Sequence, residues 1–141
     1  MKFSDEKQIA DLVRSFEEAT IARDRWKHAE HLTVALYYIT LYDLDTATSK
    51  MRAGIFKLLK AFEVDLSKEM PYHETLTVFW MRTVAEFNSL KGGDPLRHKA
   101  NELVDKYGKD YPLRFYTREY LFSDEARARF VEPDIEQLGP N

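Results

Sequence analysis

The chain has 141 residues, a formal net charge of −3, and a hydrophobic fraction of 44%. This length and composition are typical of one ordinary folded domain, which we expect to span residues 1–141. The near balance of acidic and basic side chains argues against a nucleic-acid partner, which would require a basic face. The chain has no cysteine, which excludes disulfides and thiolate metal sites and favours a reducing compartment.

The hydrophobic residues are distributed along the chain rather than concentrated in one segment. No apolar run approaches the roughly 18 residues that a membrane span requires. The first residues, "MKFSDEKQ", turn acidic at once and lack the apolar core of a secretion signal. We therefore predict a cytoplasmic protein without a membrane partner, and the sequence leaves its oligomeric state open.

In about the first hundred residues, apolar residues recur at steps of three and four, which predicts α-helices. The first helix has Ser4 or Asp5 as its N-cap, and Asp24 can cap the second. Val, Ile and Tyr are frequent in "LTVALYYITLY", which makes a strand the main alternative there. The length and spacing of this segment favour a helix, with an inward stripe formed by His28, His31, Leu32, Ala35, Tyr38, Ile39 and Tyr42.

Three further helices are predicted before residue 108. The third begins near Asp43 or Asp45, and Pro71 suits the first turn of the fourth. The paired glycines of "KGGDP" end the fourth helix, and the fifth runs over residues 95–107. We therefore predict an all-α fold: an up-down bundle of four to five main helices over about residues 4–107.

Residues 108–141 are less regular and predict a short helical extension with an extended tail. The segment "YPLRFYTREYLFS" combines aromatic residues with arginines, and "DEARARF" indicates one more short helix after Ser123. Two interpretations are open for the aromatic segment. It packs over the bundle with its arginines in water, which we favour, or it lines a pocket in which Arg118 binds an anionic ligand.

Two histidines stand at the head of the second helix. At 100° per residue, His28 and His31 lie 60° apart on one face, whereas Glu30 points nearly the opposite way and is expected in solvent. His73 heads the inward stripe of the fourth helix in the same manner. In an up-down bundle the second and fourth helices run parallel, so the three histidines are predicted to meet at one end of the core.

Three imidazoles and one carboxylate could bind a divalent metal ion. Glu17, at the end of the first helix, arrives at the same end of the bundle and is the best fourth ligand to His28, His31 and His73. Such a site suits Zn²⁺, Fe²⁺, Mn²⁺ or Ni²⁺ and can leave one position open for water or substrate. Tyr38, on the same helix face, could contact a small polar substrate or donate a proton.

Histidines in a first helical turn more often cap backbone or bond a neighbour than bind metal. The alternative is therefore a non-catalytic interaction or small-molecule-binding module whose histidines form a hydrogen-bonded cluster. His98 faces away from its helix's apolar side and is expected in solvent. The sequence contains no glycine-rich phosphate loop and no nucleotide or flavin motif.

Three blocks carry a resemblance: "FEEATIARDRWKHAEHLTVALYYI", "YHETLTVFWMRTV" and "LRFYTREYLFSDEARARFVEPD". Together they resemble a family of small bacterial all-helical proteins with His-x-x-His-Leu and Tyr-His-x-Thr-Leu-Thr blocks. The resemblance runs from about residue 16 onward. It implies that His28, His31 and His73 belong together, but it implies no reaction, because that family has no settled activity. The chain also loosely resembles the three-histidine helical-bundle metalloproteins related to damage-inducible bacterial proteins, although its histidine spacing differs from theirs.

Overall fold

A computed structural model describes residues 2–68 and 71–135 and is all-α, as predicted. The regular structure of these ranges is helical, with no strand. Short 3₁₀ turns at Arg23–Arg25 and Tyr111–Arg114 interrupt the connections. The α-helices are α1 Glu6–Glu17, α2 His28–Leu41, α3 Leu44–Ala61, α4 Glu74–Ser89, α5 Leu96–Lys106, α6 Arg118–Leu121 and α7 Asp124–Ala128.

Helix α2 lies at the centre of the bundle and contacts α1, α3, α4 and α5. Its middle residues are therefore buried on every side, with Leu32, Val34 and Leu36 fully inaccessible. The prediction that Glu30 lies in solvent is wrong, because α2 has this central position. The residue is only 9% exposed, and its carboxylate pairs with Lys2 Nζ at 2.7 Å.

Tyr42 was also predicted to face inward and instead lies 40% exposed, because α2 ends at Leu41 and the chain turns outward there. The strand alternative for this segment is wrong, since α2 is a continuous helix.

Two predicted helix starts differ from the structure. Asp24 lies in a 3₁₀ turn, and the N-cap of α2 is Lys27, whose backbone N–H donates to the Glu30 side chain at 3.2 Å. Pro71 precedes α4 by three residues instead of lying in its first turn, because the His73 side chain caps that helix. The predicted N-cap Asp5 and the predicted start of the third helix near Asp43 are confirmed: the Asp5 carboxylate accepts the Gln8 N–H at 2.9 Å, and the Asp43 carboxylate accepts the Thr46 N–H at 2.7 Å.

Helices α1 and α3 meet where Gly54 faces Phe16. Phe16 is fully buried, and a Cβ built on Gly54 would lie 2.3 Å from two atoms of its ring. The Phe16 ring therefore fits at this position only because glycine has no side chain. On its other face, Phe16 stacks on Trp26 with the ring centroids 4.8 Å apart.

The C-terminal segment packs against α4 through a second apolar cluster centred on Tyr116, Leu121, Ala126 and Val131. Thr75 links α4 to the C-terminal segment: its hydroxyl donates a hydrogen bond to the Arg129 carbonyl at 2.9 Å and accepts one from the Val131 N–H at 3.1 Å. The predicted packing of this segment over the bundle is confirmed, with Arg114 and Arg118 exposed. Of the predicted extended tail, residues 136–141 lie outside the described residues.

Within residues 2–68 and 71–135, no helix combines the length and the hydrophobicity that a membrane span needs.

A candidate histidine-lined cavity

A cavity of about 430 Å³ opens at the end of the bundle where α2 and α4 begin and α3 ends. This arrangement follows from the up-down order of the helices, which brings the heads of the second and fourth to the tail of the third. His28, His31 and His73 all line it. Its other lining residues are Arg23, Trp26, Ile55, Leu59, Phe62, Pro71, Tyr72, Leu76, Thr77, Trp80 and Lys109.

His28 is held by a backbone acceptor on the segment after α5. Its Nε2 lies 2.9 Å from the carbonyl oxygen of Tyr107, and since a carbonyl only accepts, Nε2 carries the proton. The imidazole also meets the face of Trp80 at 4.9 Å between ring centroids, in an edge-on arrangement. His28 is therefore a fixed part of the wall, oriented by one hydrogen bond and one ring contact.

His73 uses both of its ring nitrogens in structural hydrogen bonds. Nδ1 accepts the Leu76 N–H at 3.1 Å and so caps α4, while Nε2 donates to the carbonyl of Leu121 at 2.6 Å. The side chain thereby ties α4 to the C-terminal segment. Burial lowers the pKa of His73 below its usual value, which suits the neutral tautomer that these two bonds require.

His31 is the exception among the three. Its ring stacks near Trp26, with centroids 5.9 Å apart, and its Nε2 is buried without a hydrogen-bond partner among residues 2–68 and 71–135. Burial and, as the smaller cause, the neighbouring His28 lower the pKa of His31 to about 4. The imidazole is therefore neutral at physiological pH and keeps one polar atom unused beside an aromatic cavity.

The predicted carboxylate ligand lies away from this cavity. Glu17 Oε2 accepts a hydrogen bond from the Tyr38 hydroxyl at 2.8 Å, and the Glu17 carbonyl accepts from Lys57 Nζ at 2.7 Å. Burial, with the Glu17 carboxylate beside it, raises the pKa of Tyr38 well above its usual value. Glu17 and Tyr38 therefore form a pair between α1 and α2, separate from the three histidines.

The remaining predicted residues are on the surface. Arg118 is exposed at the start of α6 and does not line the histidine cavity. His98 is exposed on α5, as predicted.

Across the described part of the chain, no three His, Asp or Glu side chains are arranged so that they could hold one metal ion. His73 illustrates the geometry, since both of its nitrogens are already engaged. A metal ion bound by all three histidines would require His73 to release a bond that caps α4 or one that holds the C-terminal segment.

The two tryptophans are candidate binding residues that no sequence motif indicated. Trp26 precedes α2 in a turn and Trp80 lies in the middle of α4, yet both line the same cavity. They are the only two in the chain. The sequence offers an indication for Trp26, because this residue directly precedes "KHAEH". For Trp80 the sequence indicates only a core residue.

Comparison with known proteins adds no identification. No protein-family model, no curated protein and no solved structure matches the chain.

Proposed function

We propose that the chain is a binding protein for a small, uncharged, flat aromatic molecule with one hydrogen-bonding group, held in the histidine cavity. The observation that supports this proposal is the buried Nε2 of His31, which has no hydrogen-bond partner in the described part of the chain and lies beside the aromatic side chains that line the cavity. A buried polar atom without a partner costs about 1–3 kcal/mol. A ligand that supplies the missing hydrogen bond recovers that cost and gains specificity from it.

The lining of the cavity supports an aromatic ligand. Two indole rings, Trp26 and Trp80, are among its lining residues, and Ile55, Leu76 and Phe62 add aliphatic and aromatic side chains. A volume of about 430 Å³ falls within the range usual for small-molecule sites. Its two cationic residues, Arg23 and Lys109, are exposed and so belong to the rim. A neutral imidazole beside apolar walls favours an uncharged ligand.

Phenol and toluene provide a matched pair of probes. They are similar in shape, but only phenol has a hydroxyl, which can donate to or accept from Nε2 and so suits either tautomer of His31. The indole N–H signals of Trp26 and Trp80 in a two-dimensional NMR spectrum report binding directly. We expect phenol to shift both signals saturably and to bind about tenfold more tightly than toluene.

Variants assign the preference to His31. His31→Leu should bring the affinities for phenol and toluene together, whereas the same change at the exposed His98 should leave the preference intact. The proposal is overturned if saturating phenol moves neither indole signal, or if His31→Leu retains the preference for phenol.

A divalent metal ion is the second candidate, with water or a small polar substrate activated on it as the associated chemistry. The observation that favours it is the convergence of His28, His31 and His73 on one cavity, with His31 neutral and its Nε2 unused. Zn²⁺, Fe²⁺, Mn²⁺ and Ni²⁺ are the ions suited to such ligands. In this case His73 would have to give up one of its two hydrogen bonds.

Metal analysis of protein purified without an affinity tag separates the two candidates. Stoichiometric metal that is lost in His31→Ala and in His73→Ala would establish the metal site. Absence of stoichiometric metal, or its retention in both variants, would refute it. The resemblance to the small bacterial family stays a prediction.

A further inference from the structure

A second cavity lies across Tyr72 from the histidine cavity. Its volume is about 560 Å³, and it is formed by α3, by the residues that lead into α4, and by α7 with the chain after it. Tyr72 lines both cavities and is 7% exposed, so it forms part of the wall between them. The other lining residues are Arg52, Phe56, Glu74, Asp124, Arg127, Ala128, Arg129 and Phe130.

Two of the three arginines here already have carboxylate partners. Arg52 binds Glu74 with two nitrogens, Nε to Oε1 at 2.9 Å and the terminal nitrogen to Oε2 at 2.7 Å. Glu74 also accepts the Tyr72 hydroxyl at 2.5 Å, so both of its oxygens are occupied. Arg129 is paired with Glu125. Within each pair the arginine and the carboxylate neutralise each other's charge, so these two arginines have little charge left to attract a ligand.

Arg127 differs from the other two arginines. Its contacts are a long hydrogen bond from Nε to the Phe122 carbonyl, at 3.5 Å, and a cation–π contact with the Phe122 ring, 5.5 Å from the guanidinium carbon to the ring centroid. Within residues 2–68 and 71–135 it has no carboxylate partner. A half-buried guanidinium with free donors in a cavity suits a planar anionic group, to which it can donate two parallel hydrogen bonds.

The rest of the cavity offers an apolar surface near this charge. Phe56 and Tyr72 pack with their ring centroids 4.5 Å apart, and Phe130 adds a third ring, held beneath the Arg82 guanidinium at 4.4 Å. One feature opposes an anion: Asp124, exposed at the first residue of α7, brings a negative charge to the lining. Arg127 and Asp124 should therefore act on a charged ligand in opposite directions.

We propose that this second cavity is a binding site for a small organic anion, an aromatic body carrying a carboxylate or a phosphate, with Arg127 as the residue that recognises the anionic group and the rings of Phe56, Tyr72 and Phe130 as the surface that receives the body. The two cavities share Tyr72 as a lining residue, but this proposal does not rest on the ligand proposed for the histidine cavity.

Benzoate and phenyl phosphate, with benzamide as the uncharged counterpart of benzoate, test the site by calorimetric titration of the intact chain. We expect at least one anion to bind saturably and benzamide to bind at least tenfold more weakly. The anion that binds more tightly identifies the group. Saturable binding of neither anion, or equal binding of benzoate and benzamide with no binding of phenyl phosphate, overturns the proposal.

Four variants localise the effect. Arg127→Gln should weaken anion binding at least tenfold, and Asp124→Asn should strengthen it, because one removes the attractive charge and the other the repulsive one. Arg118→Gln, an exposed arginine on the adjacent helix, should leave the affinity unchanged, as should His31→Leu, which alters only the histidine cavity. Circular dichroism confirms that each variant is folded. Unchanged affinity in a folded Arg127→Gln protein, or weaker binding in Asp124→Asn, would contradict the assignment.

Discussion

Replacing His31 by leucine should change how stability depends on pH. In the folded chain the pKa of His31 is lowered to about 4, chiefly by burial, from its usual value of 6.5. Between these two values the unfolded chain binds more protons than the folded chain, so the free energy of unfolding rises with pH across this window. The contribution of His31 is fully present above pH 6.5 and is lost as the pH falls towards 4.

The size of the effect follows from the two pKa values. Each unit of pKa corresponds to 1.36 kcal/mol, so the change from 6.5 to about 4 corresponds to about 3 kcal/mol over the whole window. At pH 5 about 2 kcal/mol of this is already lost. His31→Leu removes this component, and near neutral pH it also removes an unpaired buried nitrogen, which should raise the free energy of unfolding by about 1 kcal/mol.

Urea unfolding at pH 7.5 and pH 5, followed by circular dichroism, measures both effects. The wild type should lose about 2 kcal/mol more than His31→Leu between the two pH values. His98→Leu, the same change at an exposed position, should keep the wild-type pH dependence. Equal pH dependence in the wild type and His31→Leu would refute the argument that burial holds this imidazole neutral. A marked fall in stability of His31→Leu at pH 7.5 would show instead that the histidine is a structural residue.

Three further predictions concern the scaffold. Gly54→Ala should lower the free energy of unfolding by about 2 kcal/mol, because the added Cβ would lie 2.3 Å from the Phe16 ring. Gly93→Ala is the control, since it has open space around it, and an unchanged urea midpoint for Gly54→Ala would contradict the close contact. Glu63→Gly should raise the free energy of unfolding by about 1 kcal/mol, because this exposed residue has φ 60° where α3 ends, a backbone conformation that glycine adopts more readily. A lower thermal midpoint for the variant would contradict this reasoning. His73→Asn can still cap α4 but loses the hydrogen bond to the Leu121 carbonyl, so amide hydrogen exchange should accelerate in residues 115–131 and not in α4. An equal acceleration in both regions would contradict the view that this bond holds the C-terminal segment on α4.

Local sequence signals were sufficient for the helical class and for several helix boundaries. Asp5 and Asp43 act as N-caps because a short carboxylate placed before an apolar period satisfies the first free N–H groups. The same reasoning failed at Asp24 and Pro71, where other caps compete: Glu30 receives the Lys27 N–H, and the ring of His73 caps α4. Imidazole is an uncommon cap, and no spacing rule would favour it over the proline two residues earlier.

Helical periodicity placed His28 and His31 on one face of α2, and connectivity brought His73 to the same end of the bundle. Both are properties of sequence order, because a helix has a fixed angle per residue and short connections force neighbouring helices to alternate in direction. Only the tertiary structure decided what each imidazole does there. The carbonyls of Tyr107 and Leu121, which engage His28 and His73, come from segments 79 and 48 residues away along the chain. No local pattern encodes them.

The tertiary structure also decided which charges lie in water. Periodicity placed Glu30 opposite the histidines, but α2 is covered on that side too, so the carboxylate is buried and pairs with Lys2. Glu17 reached the predicted end of α1 and bonded Tyr38 instead of joining the histidines. Within the described ranges, the buried Nε2 of His31 has no hydrogen-bond partner, and the ring stacked beside the imidazole is the indole of Trp26. Sequence order therefore determined which residues meet, and long-range packing determined which of them remain free to bind.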